Sequence, residues 1–234
     1  MESLKQNFLI IDTETTKKGH NMPYQSVFDI GWTITNRKGE ILCQRSYIVG
    51  EFKYQALTKK RAFLIDENVV DGKIYFTKLL QKRMVVINWQ YIIAQLNKDC
   101  NKHGVEFVGA YNLGFDMNVI NKTHFFLTGK ELNFFERYFL VDLYHVSAYT
   151  VLNTDMYKKF ATENNLISEK GNFKTGAEAT FRYLFNKEYV EEHTALQDSE
   201  DESKILHYLL DSVDYIPIHA YAINSQSWRI VNEK

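Results

Sequence analysis

The chain has 234 residues, is 45% hydrophobic and 15% aromatic, and carries a formal net charge of −1. That is enough chain to bury one sizeable core, and its charge is too balanced for a broad basic face that coats long nucleic acid. The two cysteines, Cys43 and Cys100, give no metal or disulfide framework. No run approaches the ~18 apolar residues of a membrane span, the N-terminus shows no signal-peptide core, and a reducing cytoplasm is the expected compartment.

In chain order, Phe8 to Asp12 is an apolar run ending in an acid, which predicts a buried strand. Ser26 to Thr35 alternates, with Phe28, Ile30, Trp32 and Ile34 on one face. The turn Asn36-Arg-Lys-Gly39 leads into a third strand, Glu40 to Val49, so these two strands form a hairpin. From Phe52-Lys53 to about Gly72 the pattern is irregular or helical. Val85 to His103 predicts a helix closed by Gly104, and Val105 to Tyr111 a fourth strand. Phe115 to Leu127 predicts a helix closed by Gly129, and Phe139 to Asp142 a short fifth strand with more helix to about Asn164. Thr175 to Phe185 and Thr194 to Val213 predict two further helices, and Pro217 to Lys234 has no assignable pattern. Three strands followed by alternating helix and strand point to an α/β fold, with a central mixed five-stranded sheet flanked by helices.

Three acidic segments stand out along this pattern. Asp12 and Glu14 are two apart on a strand, so both carboxylates point to one side. They follow an apolar run, which puts them at the carboxyl end of a buried strand, where sites in open α/β sheets form. A solvated strand end would account for the same pair. Asp116 follows the fourth strand at the start of a helix, where the helix dipole alone favours an acid. Asn112 and Phe115 beside it suit contacts to a sugar or base, and equally turn and core roles.

The third segment is His193-Thr-Ala-Leu-Gln-Asp198. Thr194 as N-cap and Gln197 at N3 would make a capping box, which leaves His193 and Asp198 at the two positions of a hydrophobic staple. A polar pair there holds an imidazole near a carboxylate; the alternative is a capped helix with a surface histidine. Glu202 lies one turn further on the same face, followed by Ile205 and Leu209, so this face starts acidic and becomes apolar. Among the remaining candidates, Asp142 beside His145 reads as an N-cap, and Asp29 could face the same cleft. Glu191 and Glu192 read as a solvated loop and Lys59-Lys60-Arg61 as a wet helix face. Four carboxylates and one histidine, in this order, are the parts of a two-metal nuclease.

Together, Ile11-Asp-Thr-Glu-Thr-Thr16, Asn112-Leu-Gly-Phe-Asp116 and His193-Thr-Ala-Leu-Gln-Asp198 resemble the DEDDh subclass of the DEDD 3′–5′ exonucleases. That group includes proofreading exonucleases, RNase T and oligoribonuclease, and the likeness is strongest to stand-alone bacterial and phage types. Thr175 to Leu184 looks like the helix that precedes the third motif in the family. The resemblance implies an RNase H-like fold, with an exonuclease domain over residues 1–215 and an unassigned tail over 216–234. It implies that Asp12, Glu14, Asp116 and Asp198 hold two Mg²⁺ or Mn²⁺ ions, with His193 as general base and not a ligand. It places Thr13, Thr15, Thr16, Asn112 and Phe115 at the terminal nucleotide. The implied activity is release of nucleoside 5′-monophosphates from single-stranded or frayed DNA 3′ ends, with a DNA polymerase or replication protein as a family-type partner. An exoribonuclease or short-oligonucleotide hydrolase is the near alternative. A non-catalytic nucleic-acid or partner-binding module is the distant one, disfavoured because all five catalytic positions are present. The family often has glycine directly after the Thr-Thr pair; here Lys17 and Lys18 intervene before Gly19.

Overall fold

Strand β1 (Asn7–Thr15) runs through the middle of the sheet, and its apolar start is buried on both faces. Leu9 and Ile11 join the core on one side, Phe8 and Ile10 the core on the other. A strand covered on both faces gains from an unbroken apolar run, which is what Phe8-Leu-Ile-Ile11 supplies. The computed structural model describes residues 6–16, 25–53 and 73–212. The segments with Lys17 and Lys18, with Lys59-Lys60-Arg61, and the tail over 216–234 lie outside the described residues.

β2 (Val27–Asn36) and β3 (Ile41–Val49) form the expected hairpin beside β1, all antiparallel. On the other side of β1, β5 (Phe107–Ala110) and β6 (Phe139–Asp142) run parallel to it. The expected count of five strands is corrected to six. Val85–Ile87 is not the start of a helix but a short strand, β4, parallel to β3 at the sheet edge. The β-branched run Val85-Val86-Ile87 suits a pleated edge, whereas it gains little in a helix. The chain is extended at Asn88 before the helix begins, and Glu51 accepts the Trp89 N–H at 3.2 Å. The sheet order is β4-β3-β2-β1-β5-β6.

Seven α-helices are described: α1 (Lys73–Leu80), α2 (Trp89–His103), α3 (Leu113–Thr128), α4 (Leu143–Ser147), α5 (Asp155–Glu163), α6 (Ala177–Leu184) and α7 (Ala195–Ser212). Gly104 and Gly129 end α2 and α3 in the left-handed conformation, as expected. Phe28, Ile30, Trp32 and Ile34 of β2 pack with Trp89, Ile92 and Leu96 of α2 and Ile120 of α3. The opposite face of the sheet is covered by α4 and α7, through Val146, Ile205, Leu206 and Leu209. None of the described helices is long and apolar enough to cross a membrane.

The face of β2 under α7 is small and polar: Asp29, Gly31, Thr33 and Thr35. Asp29 Oδ2 accepts the Ala195 N–H at 3.1 Å, Thr33 and Ser199 hydroxyls bond at 3.0 Å, and Thr35 meets the His207 ring at 2.9 Å. Gly31 sits under the helix backbone itself. A Cβ there would lie 2.2 Å from Leu196 N and 2.4 Å from Ala195 C. No side chain can occupy that space, and backbone cannot turn aside as a flexible side chain would. Gly31→Ala should therefore cost roughly 1–3 kcal/mol or more by overpacking, read as a lowered urea midpoint. An unchanged midpoint would show that α7 can lift without loss.

Candidate active site

Asp12 pairs across the sheet with Gly31, and Glu14 with Asp29, so both acids rise from β1 beside the place where α7 touches β2. The first turn of α7 brings Asp198 over them. Glu14, His193 and Asp198 each offer a ligand atom, and these atoms all lie within 4.8 Å of one another. Asp116, in the first turn of α3, comes from the other side of β1. Its Oδ1 accepts the Thr13 hydroxyl at 2.6 Å, a bond that ties the second acidic segment to the first. All five residues singled out as catalytic, Asp12, Glu14, Asp116, His193 and Asp198, thus meet at the carboxyl end of β1.

The acids hold one another in an unfavourable field. Burial and then the negative charges of Asp116, Asp198, Glu202 and Glu14 push Asp12 well above the usual carboxylate range. Asp116 is pushed up to about 7, chiefly by burial and against the pull of the Thr13 hydroxyl. Asp198 is raised by burial and by Glu191, Glu14 and Glu202. Its Oδ1 is buried with no hydrogen-bond partner among the described residues. Removing such an oxygen from water without a donor is costly. Hard carboxylate oxygens, gathered against their own repulsion and one of them lacking a donor, fit a divalent cation of the Mg²⁺ or Mn²⁺ type.

His193 has left-handed backbone, φ 57°, which costs a residue with a Cβ roughly 1–2 kcal/mol. The conformation turns its ring back toward the acids. Glu191 Oε2 lies 3.4 Å from His193 Nδ1. The expected solvated loop is corrected here. Glu191 is only 20% exposed at its side chain and is pushed up to about 7 by burial, Glu178 and Asp201. Glu192 pairs with Lys78 of α1. Glu191 thus lies toward His193, Glu178 and Asp201, and Glu192 is drawn toward α1 through Lys78.

The expected capping box is also not formed. The Thr194 hydroxyl donates to Glu192 and accepts from Lys78 at 2.8 Å, and Gln197 donates to Asp201 at 3.1 Å. Asp29 takes the capping role from a different strand, accepting from Ala195 N–H and from the Tyr75 hydroxyl at 3.0 Å. It supports the site from below. Asp142 is the N-cap it was read as, accepting from Tyr144 N–H at 3.0 Å, and the same oxygen accepts from Asn112 N–H at 3.1 Å.

Thr13, Thr15 and Thr16 have buried side chains. The Thr13 hydroxyl serves Asp116, and that of Thr16 accepts from Ser26 N–H at 3.1 Å. The Thr15 hydroxyl is buried with no hydrogen-bond partner among the described residues. Asn112 is exposed and left-handed at the start of α3, φ 68°, while Phe115 packs partly against the core. Glu202, read only as part of an acidic helix face, is buried among the site acids and accepts the Tyr111 N–H at 3.0 Å. Its spacing from Asp198 put it on the right face; nothing in the sequence showed that the face would be closed over.

No protein-family model matches the sequence, and no curated protein matches it. Among the solved structures of similar fold are two 3′-exonucleases. One is the nuclease domain of 3′hExo, a DEDDh family member, bound to rAMP: TM-score 0.51, 14% identity, covering 90% of this chain and 94% of that one. The other is a full-length 3′-exonuclease: TM-score 0.55, 13% identity, covering 89% of this chain and 83% of that one. At these identities the likeness establishes the fold, an α/β sheet with flanking helices of the exonuclease RNase H-like type.

The raised carboxyls carry a consequence for stability. Between about pH 4 and about 7 the folded protein holds protons that the unfolded chain releases. Without divalent ions, stability is therefore greatest at the acid end of that window and is lost as pH rises through the folded pKa values. In EDTA, Tm should fall between about pH 5.5 and about pH 8, and Mn²⁺ at the upper pH should restore it. Asp12→Asn should raise Tm in EDTA at the upper pH by removing one repelling charge. A metal-free Tm that rises with pH would contradict this account.

Proposed function

We propose that the chain is a metal-dependent 3′–5′ exonuclease that removes nucleoside 5′-monophosphates from single-stranded or frayed DNA ends. The observation that carries the reading is the convergence of Asp12, Glu14, Asp116 and Asp198 with His193 at one strand end, on a fold shared with 3′-exonucleases. In this reading the four carboxylates hold two Mg²⁺ or Mn²⁺ ions. When bound, the ions would neutralise charge on the scissile phosphate and lower the pKa of water.

The chain's own residues do the rest. Glu191 faces Nδ1 of His193, and the imidazole takes the proton of the attacking water, a task suited to it near neutral pH. The departing 3′ oxygen stays with the shortened strand, and the phosphate leaves on the 5′ carbon of the released nucleoside. Backbone at Thr13 to Thr15 borders the terminal 3′-OH, with Asn112 and Phe115 at its sugar or base. The near-neutral charge suits a grip on a few terminal nucleotides rather than a long track.

A second reading, on RNA ends, is favoured by one observation: the DEDDh nuclease domain of similar fold was bound to rAMP. End-labelled DNA and RNA of equal sequence, digested with Mg²⁺ or Mn²⁺ and sized, separate the two. We expect 5′-mononucleotides from DNA, digestion blocked by a 3′-phosphate, and none in EDTA. Internal cuts in a circular single strand would overturn the exonuclease reading, and activity on RNA alone the substrate.

Asp12→Ala, Glu14→Ala, Asp116→Ala and Asp198→Ala should each nearly abolish turnover, and the losses should not add, because each breaks one shared site. His193→Ala should lower kcat by ~10²–10⁴ while Mn²⁺ affinity survives, measured by calorimetry. A collapse of Mn²⁺ affinity in that variant would make His193 a ligand.

A further inference from the structure

We propose that Lys78 is a positioning residue for His193, gripping the chain on both sides of it so that the imidazole is held over the acids. Lys78 sits on α1, far from His193 in sequence, and is 9% exposed. Its ammonium donates to the Glu192 carboxylate and, at 2.8 Å, to the Thr194 hydroxyl. Those are the two residues that flank His193. The Thr194 hydroxyl in turn donates to the same Glu192 oxygen at 2.8 Å, closing a three-membered ring of hydrogen bonds around the His193 backbone. One turn earlier on α1, the Tyr75 hydroxyl lies 3.4 Å from the His193 carbonyl and donates to Asp29, which caps α7.

The arrangement meets a need that the local sequence leaves unmet. His193 is left-handed, a conformation that a residue with a Cβ keeps only when its surroundings over-determine it. The capping box that would have ordered this turn from within is absent, because Thr194 is turned to Lys78 and Gln197 to Asp201. An ammonium is a point charge with three donors, which suits two acceptors converging from one turn; a planar guanidinium fork would not meet them in this way. A buried cation is costly unless it is paired and hydrogen-bonded, and here both conditions are met by residues on either side of the base.

This inference rests on the exonuclease reading for His193's role, and its test separates the two. Lys78→Met keeps the stem and removes the charge. It should lower kcat about 10–100-fold, the scale of a base misplaced by about 1 Å, with KM changed less than about twofold. In a His193→Ala background the same substitution should change kcat less than about twofold, since there is no imidazole left to place. Equal losses in the two backgrounds would overturn the proposal. The second measurement needs no activity: the His193 ring resonances, identified by their loss in His193→Ala, should shift or split in Lys78→Met. Unchanged ring resonances would also overturn it. If the wild type digests no nucleic acid and the resonances still respond, the clamp stands and the exonuclease reading falls. Should Lys78→Met fail to fold, Glu192→Ala, altering a partner 34% exposed at its side chain, carries the same two measurements.

Discussion

The contact of the α7 backbone with Gly31 is the constraint on which the site depends. A helix normally stands off a sheet by the depth of its side chains. At Gly31 there is none, and Leu196 N comes to where a Cβ would be. The approach happens directly across from Asp12, Gly31's partner in the register. It sets the height of Asp198 above β1, and so decides whether carboxylates from sequence positions nearly two hundred residues apart can share one ion. The flanking bonds, Asp29 to Ala195, Thr33 to Ser199 and Thr35 to His207, keep α7 from sliding along the strand. They are polar because the face is narrow: bulky apolar side chains there would lift the helix.

That closeness has an electrostatic cost. Asp12, Asp116, Asp198 and Glu202 all resist ionisation in the folded protein, chiefly because they are buried and then because they repel one another. Two apolar cores, one on each face of the sheet, hold the elements that carry these acids. The apolar end of β1 and the apolar half of α7 are anchored there, and the acids are carried on the opposite ends of the same elements. Stability and function are thus divided along each element, and a cation that binds the acids removes a cost already present in the fold.

The second organising contact is α1 against the segment before α7. Lys78 and Tyr75 fix Glu192, Thr194 and Asp29, and these fix the start of α7. The same two side chains therefore act on the segment that carries His193 and on the helix that carries Asp198. A small displacement of α1 would move both.

The sequence by itself determined the central strand, the hairpin, the order of the acidic segments and the faces on which the acids stand, because these follow from periods of two and of 3.6 residues over short stretches. Asp12 and Glu14 on one side of β1, Asp116 at a helix start and Glu202 one turn beyond Asp198 were all legible in this way. Only the tertiary structure decided what depends on long-range contacts. Val85–Ile87 becomes a strand because β3 offers an open edge to pair with. Glu191 lies half-buried beside His193 and Glu178, Glu192 is drawn to Lys78 of α1, and Thr194 abandons its capping box because the Lys78 ammonium takes its hydroxyl in place of a backbone N–H. Gly31 carried no signal of its own in a strand, since the reason for it, the backbone of a helix more than 160 residues later, is a matter of packing and not of local pattern.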